Sequence, residues 1–551
     1  MNRRQKSTYA LIFVLLFALV ILPVITIFGE AVMVNGRFDF SNALRTILAK
    51  DNLTTISNSL LMGVLVVALS TLLSTPLAFL LARTRFAKWR WLDIVLMIPF
   101  MTPPYISSMG WILFMQKRGL FQQMFPWTGS ISERFFSLGG LVLVMSFHVF
   151  PFMTTMIKNA ILNIGTNLEE SAAVSGGGFF YRLRRVTLPL LTGNYAIAML
   201  LVFVKTLSEY GTPSTLGNRI GFYVFTTDIH RYASTSPIDF GKAASLSSVL
   251  VLICMVMWMT QSYITSRHTY HLVGGKGKRE KLSSCRKRTE ILGGVYIFLV
   301  ILTAIGVPYF SVIATSLIKL RGYGLAAGNF TFQHYVELFT QNSKGWEAML
   351  TSTFLAVVSA TVASVIGSMI VILIKKEKRW KKVIEGEALL PEMLPNIVLV
   401  IGMMLFWNKI YKILPLYNTI WFMVLVYVVM FLPYSVQYVS SALMQTGDSL
   451  IEAGKVCGGS RAYVLVHVTL PLIMRGVLQG WMMIFIIVFR ELVAASLISP
   501  PNVQTVSTFI VREFEQGSAS VAMAMALICV LITTTLLIVL NYITGRKKAR
   551  G

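Results

Sequence analysis

Apolar runs alternate with short polar segments along the whole chain, and twelve of the runs reach about 20 residues, the length needed to cross a hydrocarbon core of roughly 30 Å as a helix. They lie near 9–33, 58–82, 91–114, 137–160, 191–210, 242–264, 291–317, 351–374, 386–407, 418–443, 475–498 and 519–542. The pattern predicts an all-α membrane protein with about 12 transmembrane helices.

The pattern also repeats. Shifting Leu168–Leu190 by 282 positions onto Leu450–Leu472 gives 12 identities in 23 positions, among them Glu170 with Glu452, Gly176 with Gly458, Gly177 with Gly459, and the run Val186-Thr187-Leu188-Pro189 with Val468-Thr469-Leu470-Pro471. Upstream, Pro99-Phe-Met-Thr-Pro103 matches Pro391-Glu-Met-Leu-Pro395 at a shift of 292. Each half carries six spans, so corresponding segments share one orientation and the repeat is parallel, about an axis along the membrane normal. The expected organisation is a first half over 1–265, a basic linker over 266–290 containing Gly274-Gly275 and eight Lys or Arg, and a second half over 291–551. Two pseudo-symmetric six-helix halves make the chain a fused dimer.

Composition agrees with lipid as the main solvent. Hydrophobic residues make up 55% of the 551 residues and charged ones only 13%, with a mean hydropathy of +0.69. The net charge of +26 is the kind of excess that nucleic-acid binders carry. Its distribution argues against that partner. Lys and Arg concentrate at Arg3 to Lys6, Arg83 to Arg90, Arg182 to Arg185, Arg267 to Arg288, Lys375 to Lys382 and Arg546 to Lys548. Threading twelve spans alternately puts all of these on one side, as the excess of basic residues in cytoplasmic loops requires, with both termini cytoplasmic. The first apolar block follows basic residues but lacks a small-residue cleavage site, so it reads as a retained span. Cys254, Cys285, Cys457 and Cys529 stand at no metal or redox spacing and imply neither disulfides nor zinc.

Each repeated segment, 168–190 and 450–472, falls in an inside loop between the fourth and fifth spans of its half. The first reads Glu170-Ser171-Ala172, then Gly176, then Val186-Thr187-Leu188-Pro189. The second reads Glu452-Ala453-Gly454, then Gly458, then Val468-Thr469-Leu470-Pro471. Small residues let another surface approach closely, a glutamate near a helix start is favoured by the dipole, and Gly176 and Gly458 can take the left-handed conformation that ends a helix. A single cytoplasmic hairpin can carry Glu, Gly and Pro by chance; two copies at one spacing argue against chance. Here the chain resembles the permeases of ATP-binding-cassette importers, whose EAA loop forms the coupling helix, with Ser171 and Gly454 replacing the usual alanines.

That resemblance implies a type I importer fold, two copies of a separate ATPase subunit docked on the two loops, an extracytoplasmic solute-binding protein, and the cell membrane of a prokaryote. No phosphate-binding loop is legible: Gly274-Gly275-Lys276-Gly277-Lys278 has the wrong spacing. ATP is therefore expected on the partner ATPase, with no cofactor bound by this chain. No nucleophile and base constellation stands out, so no enzyme active site is expected, and no metal site is predicted.

Ionisable residues inside spans are costly and are functional candidates by default. Glu209 and Glu491 share one repeat position, in the fifth span of each half, with Ser208, Tyr210 and Arg490 beside them. They are expected either in the translocation path or in structural pairings, Glu491 with Arg490 and Glu209 at the outer interface. His148 and Lys205 are weaker candidates, since long or amphipathic side chains near helix ends can snorkel.

Leu207-Ser-Glu-Tyr-Gly-Thr-Pro213 with Leu216-Gly217, and Phe489-Arg-Glu-Leu492 followed by Ser496, Pro500-Pro501 and Phe514-Glu-Gln-Gly517, look like the fused permeases of ferric iron importers over nearly the whole chain. Those are similar to permeases for thiamine, polyamines and phosphonates, which stay open as substrates. An ion-coupled secondary transporter also uses repeated bundles and intramembrane acids, but it does not account for two EAA-type loops.

Overall fold

The computed structural model describes residues 3–34, 37–164, 171–172, 174–267, 287–340, 343–374, 378–445 and 448–545. The basic linker lies largely outside them. Among the described residues, ten single helices are long and apolar enough to cross a membrane, and they fall where ten of the twelve apolar runs predict them.

The third and ninth runs differ. Neither 91–114 nor 386–407 is one straight span: Arg90–Met101 meets Pro104–Met124 at 88°, and Trp380–Met393 meets Asn396–Lys409 at 110°. The breaks sit on the repeated Pro-x-x-x-Pro. A proline lacks an N–H and forces the preceding residue out of the helical region, and Thr102 before Pro103 is extended, with ψ of 137°. Pro103 and Pro395, at ψ of 129° and 133°, then cap the second helix of each pair. The eleventh run, 475–498, is also corrected. Its helix stops at Phe489, and Val493–Ile498 is a separate short helix.

The described residues form two compact units that do not follow the sequence halves. One takes those within 1–48, 229–251 and 332–551; the other takes those within 49–228 and 252–331. The boundaries 1–265 and 291–551 mark the repeat, while each half's first span packs with the other half's later spans. The reason is a matched close approach. A Cβ on Gly402 would lie 2.7 Å from the carbonyl oxygen of Pro23, and one on Gly110 would lie 2.7 Å from that of Pro308. In the first case the Tyr9 hydroxyl also donates to the Leu373 carbonyl at 2.9 Å, and Lys409 pairs with Glu30 at 2.7 Å. In the second, the Tyr296 hydroxyl donates to the Leu73 carbonyl at 2.9 Å.

Candidate functional site

The two repeated loops fold alike wherever they are described. Glu170 lies outside the described residues; Ser171, Ala172 and Val174 are helical, as is Asp448–Val456 with Glu452, Ala453 and Gly454. Gly176 and Gly458 both have φ of +83°, the left-handed conformation expected of them. The following residue closes the turn, the Gly177 N–H donating to the Ala172 carbonyl at 2.9 Å and the Gly459 N–H to the Gly454 carbonyl at 3.1 Å. In the second copy the Gly458 N–H also donates to Lys455 at 3.0 Å, completing the paired bonds of a Schellman cap. Glycine is needed twice: a Cβ on Gly177 or Gly459 would stand 2.7 Å from the accepting carbonyl oxygen.

Beyond the glycines, Phe179–Arg182 and Arg461–Val464 begin helices that widen into π-helical turns at Leu183–Thr187 and Leu465–Thr469, then run into the fifth and eleventh spans. Each loop is thus a lever continuous with a span. One expectation needs correcting. Glu452 sits in the second turn of Asp448–Val456, beyond the first-turn positions where the helix dipole acts. Its availability to a partner comes from exposure. The structure adds residues that the motif left silent: Val174 and Val456 are 90% and 88% exposed, and Tyr181 and Tyr463 are 59% and 56% exposed. Matched apolar side chains left exposed on a helix and its sequel are a feature of interaction surfaces.

Glu209 and Glu491 also occupy one geometry. Each ends its span, and each carboxylate turns back onto the backbone that follows. Glu209 accepts the Thr212 N–H on both oxygens at 3.2 and 3.1 Å. Glu491 accepts the N–H groups of Val493, Ala494 and Ala495 at 2.8 to 3.2 Å, and its residue is only 7% exposed. Both therefore cap a short helix by accepting its unpaired N–H groups. A second matched pair braces the backbone. Thr226 donates to the Glu209 carbonyl at 2.8 Å, and Ser507 donates to that of Glu491. The neighbouring N–H groups of Phe225 and Val506 each donate at 2.8 Å to a span serine, Ser59 and Ser352. These four hydroxyl residues escaped the sequence reading because serine and threonine are common in spans. The signal that could have found them is their near-constant offset, 281 for Thr226 with Ser507 and 293 for Ser59 with Ser352.

Of their neighbours, Ser208 bonds its own helix, donating to the Val204 carbonyl at 2.8 Å, Tyr210 is buried, and Arg490 is partly buried. His148 and Lys205 come together on aromatic rings. The His148 ring stacks on Phe100 with Nδ1 2.9 Å from the Pro99 carbonyl, and Lys205 Nζ lies 5.4 and 5.1 Å from the Phe100 and Phe152 centroids. Among the described residues, no group of three or more His, Cys, Asp or Glu is placed to hold a metal ion.

Long apolar helices, two broken spans and two matched loops, each continuous with a span, are the features of a membrane permease built as a repeat. The comparison with known proteins carries this to a family: the chain belongs to the binding-protein-dependent transport system inner membrane components, which match residues 74–268 and 363–549, once in each half. It is the permease of an ATP-binding-cassette importer. It is similar to the ferric transport system permease protein FbpB of Actinobacillus pleuropneumoniae, 22% identical over 97% of this chain and 77% of that protein. A Haemophilus influenzae Fe(3+)-transport system permease protein, FbpB 2, is 24% identical over 87% of each chain. The spermidine/putrescine permease PotC of the same organism is 25% identical over 44% of this chain and 91% of its own length.

Proposed function

We propose that this permease imports ferric iron, taking it from an extracytoplasmic binding protein and driven by two copies of an ATPase docked on the loops around Gly176 and Gly458. The observation that carries the coupling is the matched pair of left-handed glycines presenting Val174 and Val456 to solvent. Equal levers suit equal motors. ATP is bound and hydrolysed by the partner, and this chain contributes the path and the levers. The concentration of basic residues at 3–6, 83–90, 182–185, 267–288, 375–382 and 546–548 supports cytoplasmic termini. Glu170 and Glu452 meet the ATPase, with the small residues Ser171, Ala172, Ala453 and Gly454 allowing close approach. Glu209 and Glu491, with Ser208, Tyr210 and Arg490, shape the turn that borders the path.

The iron assignment rests on the two long FbpB matches, which cover most of the chain, against a polyamine permease match covering less than half. In cells, deleting the gene should abolish binding-protein-dependent ferric iron uptake, and Glu170→Lys with Glu452→Lys should lose uptake and ATPase association together while the permease still inserts. Normal uptake in that double variant removes the coupling role. Loss of spermidine uptake with iron uptake intact in the deletion removes iron and leaves the importer.

A further inference from the structure

The broken ninth span places a carboxylate that no repeat partner matches. Glu392 is exposed, two residues inside the break between Trp380–Met393 and Asn396–Lys409. It accepts a hydrogen bond from Gln437 Nε2. Gln437 belongs to the span Ile420–Gln445, about 12 Å from one end and about 25 Å from the other at about 1.5 Å per residue, so the pair lies along the span rather than at its end. Tyr434, Gln437, Tyr438 and Ser441 follow one another at helical spacing along one face, none of them buried. Tyr434 lies within electrostatic reach of Glu392, Arg490 and Tyr438. An ionisable side chain along a span faces a bundle interior or a water-filled cavity rather than lipid, and Glu392 is exposed.

The first half has no such group. At the equivalent positions stand Phe100 for Glu392, Phe152 for Tyr434, Thr155 for Gln437 and Met156 for Tyr438. The repeat therefore kept the break and changed its chemistry on one side only.

We infer that Glu392, Gln437, Tyr434 and Tyr438 form a transit station for a cation inside the second half, a set of oxygen donors around one carboxylate. This rests on the importer reading and deepens it by placing the selective step on one face. Hard, highly charged cations prefer oxygen ligands. A single carboxylate with neutral oxygens, with the Arg490 charge within electrostatic reach of Tyr434 to weaken cation binding, suits passage, which requires binding strong enough to enter and weak enough to leave.

The test uses the full chain with its ATPase in membrane vesicles, with Cys254, Cys285, Cys457 and Cys529 replaced by Ser. Tyr438→Cys is reacted with a cationic and an anionic methanethiosulfonate reagent, with and without Glu392→Gln. Ser441→Cys, one turn along the same face, serves where Tyr438→Cys does not insert. The cationic reagent should react at least about fivefold faster, and Glu392→Gln should remove that preference. No reaction with either reagent overturns the aqueous station, and equal rates overturn its preference for cations. In vesicles holding the chain with its native cysteines and its ATPase, Glu392→Gln should lower uptake of ferric iron from its binding protein about tenfold with ATPase association unchanged. Unchanged uptake overturns the station. Charge-selective labelling of Tyr438→Cys, together with a native chain that takes up no iron, leaves the station standing and removes the iron reading.

Discussion

The two coupling loops and the two broken spans descend from the same repeat, yet they have fared differently. The loops keep their glycines, their cap bonds and their exposed valines at a constant offset of 282. The breaks keep their prolines at an offset of 292, but what surrounds them has diverged: a lysine and a histidine on phenylalanine rings in one half, a glutamate bonded to glutamine beside tyrosines in the other. On the proposed reading the loops answer to a repeated docking surface and stay duplicated, because any change must suit that surface twice, while the lining of a single path has no such constraint.

The comparison is broken most severely at the loops. Val174→Asp with Val456→Asp places two carboxylates on the surface proposed for docking. It should reduce ATPase co-purification and uptake by more than about tenfold, since burying an unpaired carboxylate costs more than the ~1.4 kcal/mol that a tenfold change represents. The two single variants should be equally impaired; a marked inequality would mean that the halves are driven unequally.

Exchanging chemistry at the breaks should give the opposite, unequal result. Glu392→Phe, which copies the first half into the second, should lower uptake by about tenfold, as loss of one charge-assisted contact in a low-dielectric path would. Phe100→Glu should be tolerated for assembly, because it replaces the seat of Lys205 on the Phe100 ring with an ion pair. Equal losses in ATPase association would place both changes in folding rather than transport.

Smaller effects follow from the glycines. Ala at 176 or 458 must adopt a left-handed backbone at a cost of about 1 to 2 kcal/mol, so Gly176→Ala and Gly458→Ala should each make the loop more sensitive to protease and lower uptake a few-fold. Ala at 177 or 459 keeps an ordinary φ but meets the carbonyl oxygen that its own N–H should reach, and should behave similarly.

The smallest expected effects are at the capping acids. Removing the carboxylate charge in Glu491→Gln or Glu209→Gln should cost about 1 kcal/mol, the usual worth of an N-cap, read as a lowered Tm of the purified permease. Glu491 should cost more than Glu209, because it accepts from the backbone N–H groups of Val493, Ala494 and Ala495 where those reaching Glu209 come from Thr212 and Gly211. An equal Tm loss would show that the bracing hydroxyls, Thr226 and Ser507, carry the turn.

The sequence by itself determined the membrane class, ten of the spans, the internal repeat and the two left-handed glycines, because hydrophobic run length, backbone sterics and identical spacing are local properties written residue by residue. It displayed both Pro-x-x-x-Pro motifs without revealing that they bend a span by 88° or 110°, since a proline permits a kink but neighbouring packing sets its angle. It paired Glu209 with Glu491 correctly as equivalents, but whether those carboxylates meet solute or backbone depends on where the next helix starts. The exchange of first spans, held where Pro23 meets Gly402 and Pro308 meets Gly110, and the meeting of Glu392 with Gln437 across 45 residues were decided only by tertiary structure, because contacts between distant segments leave no period in the chain.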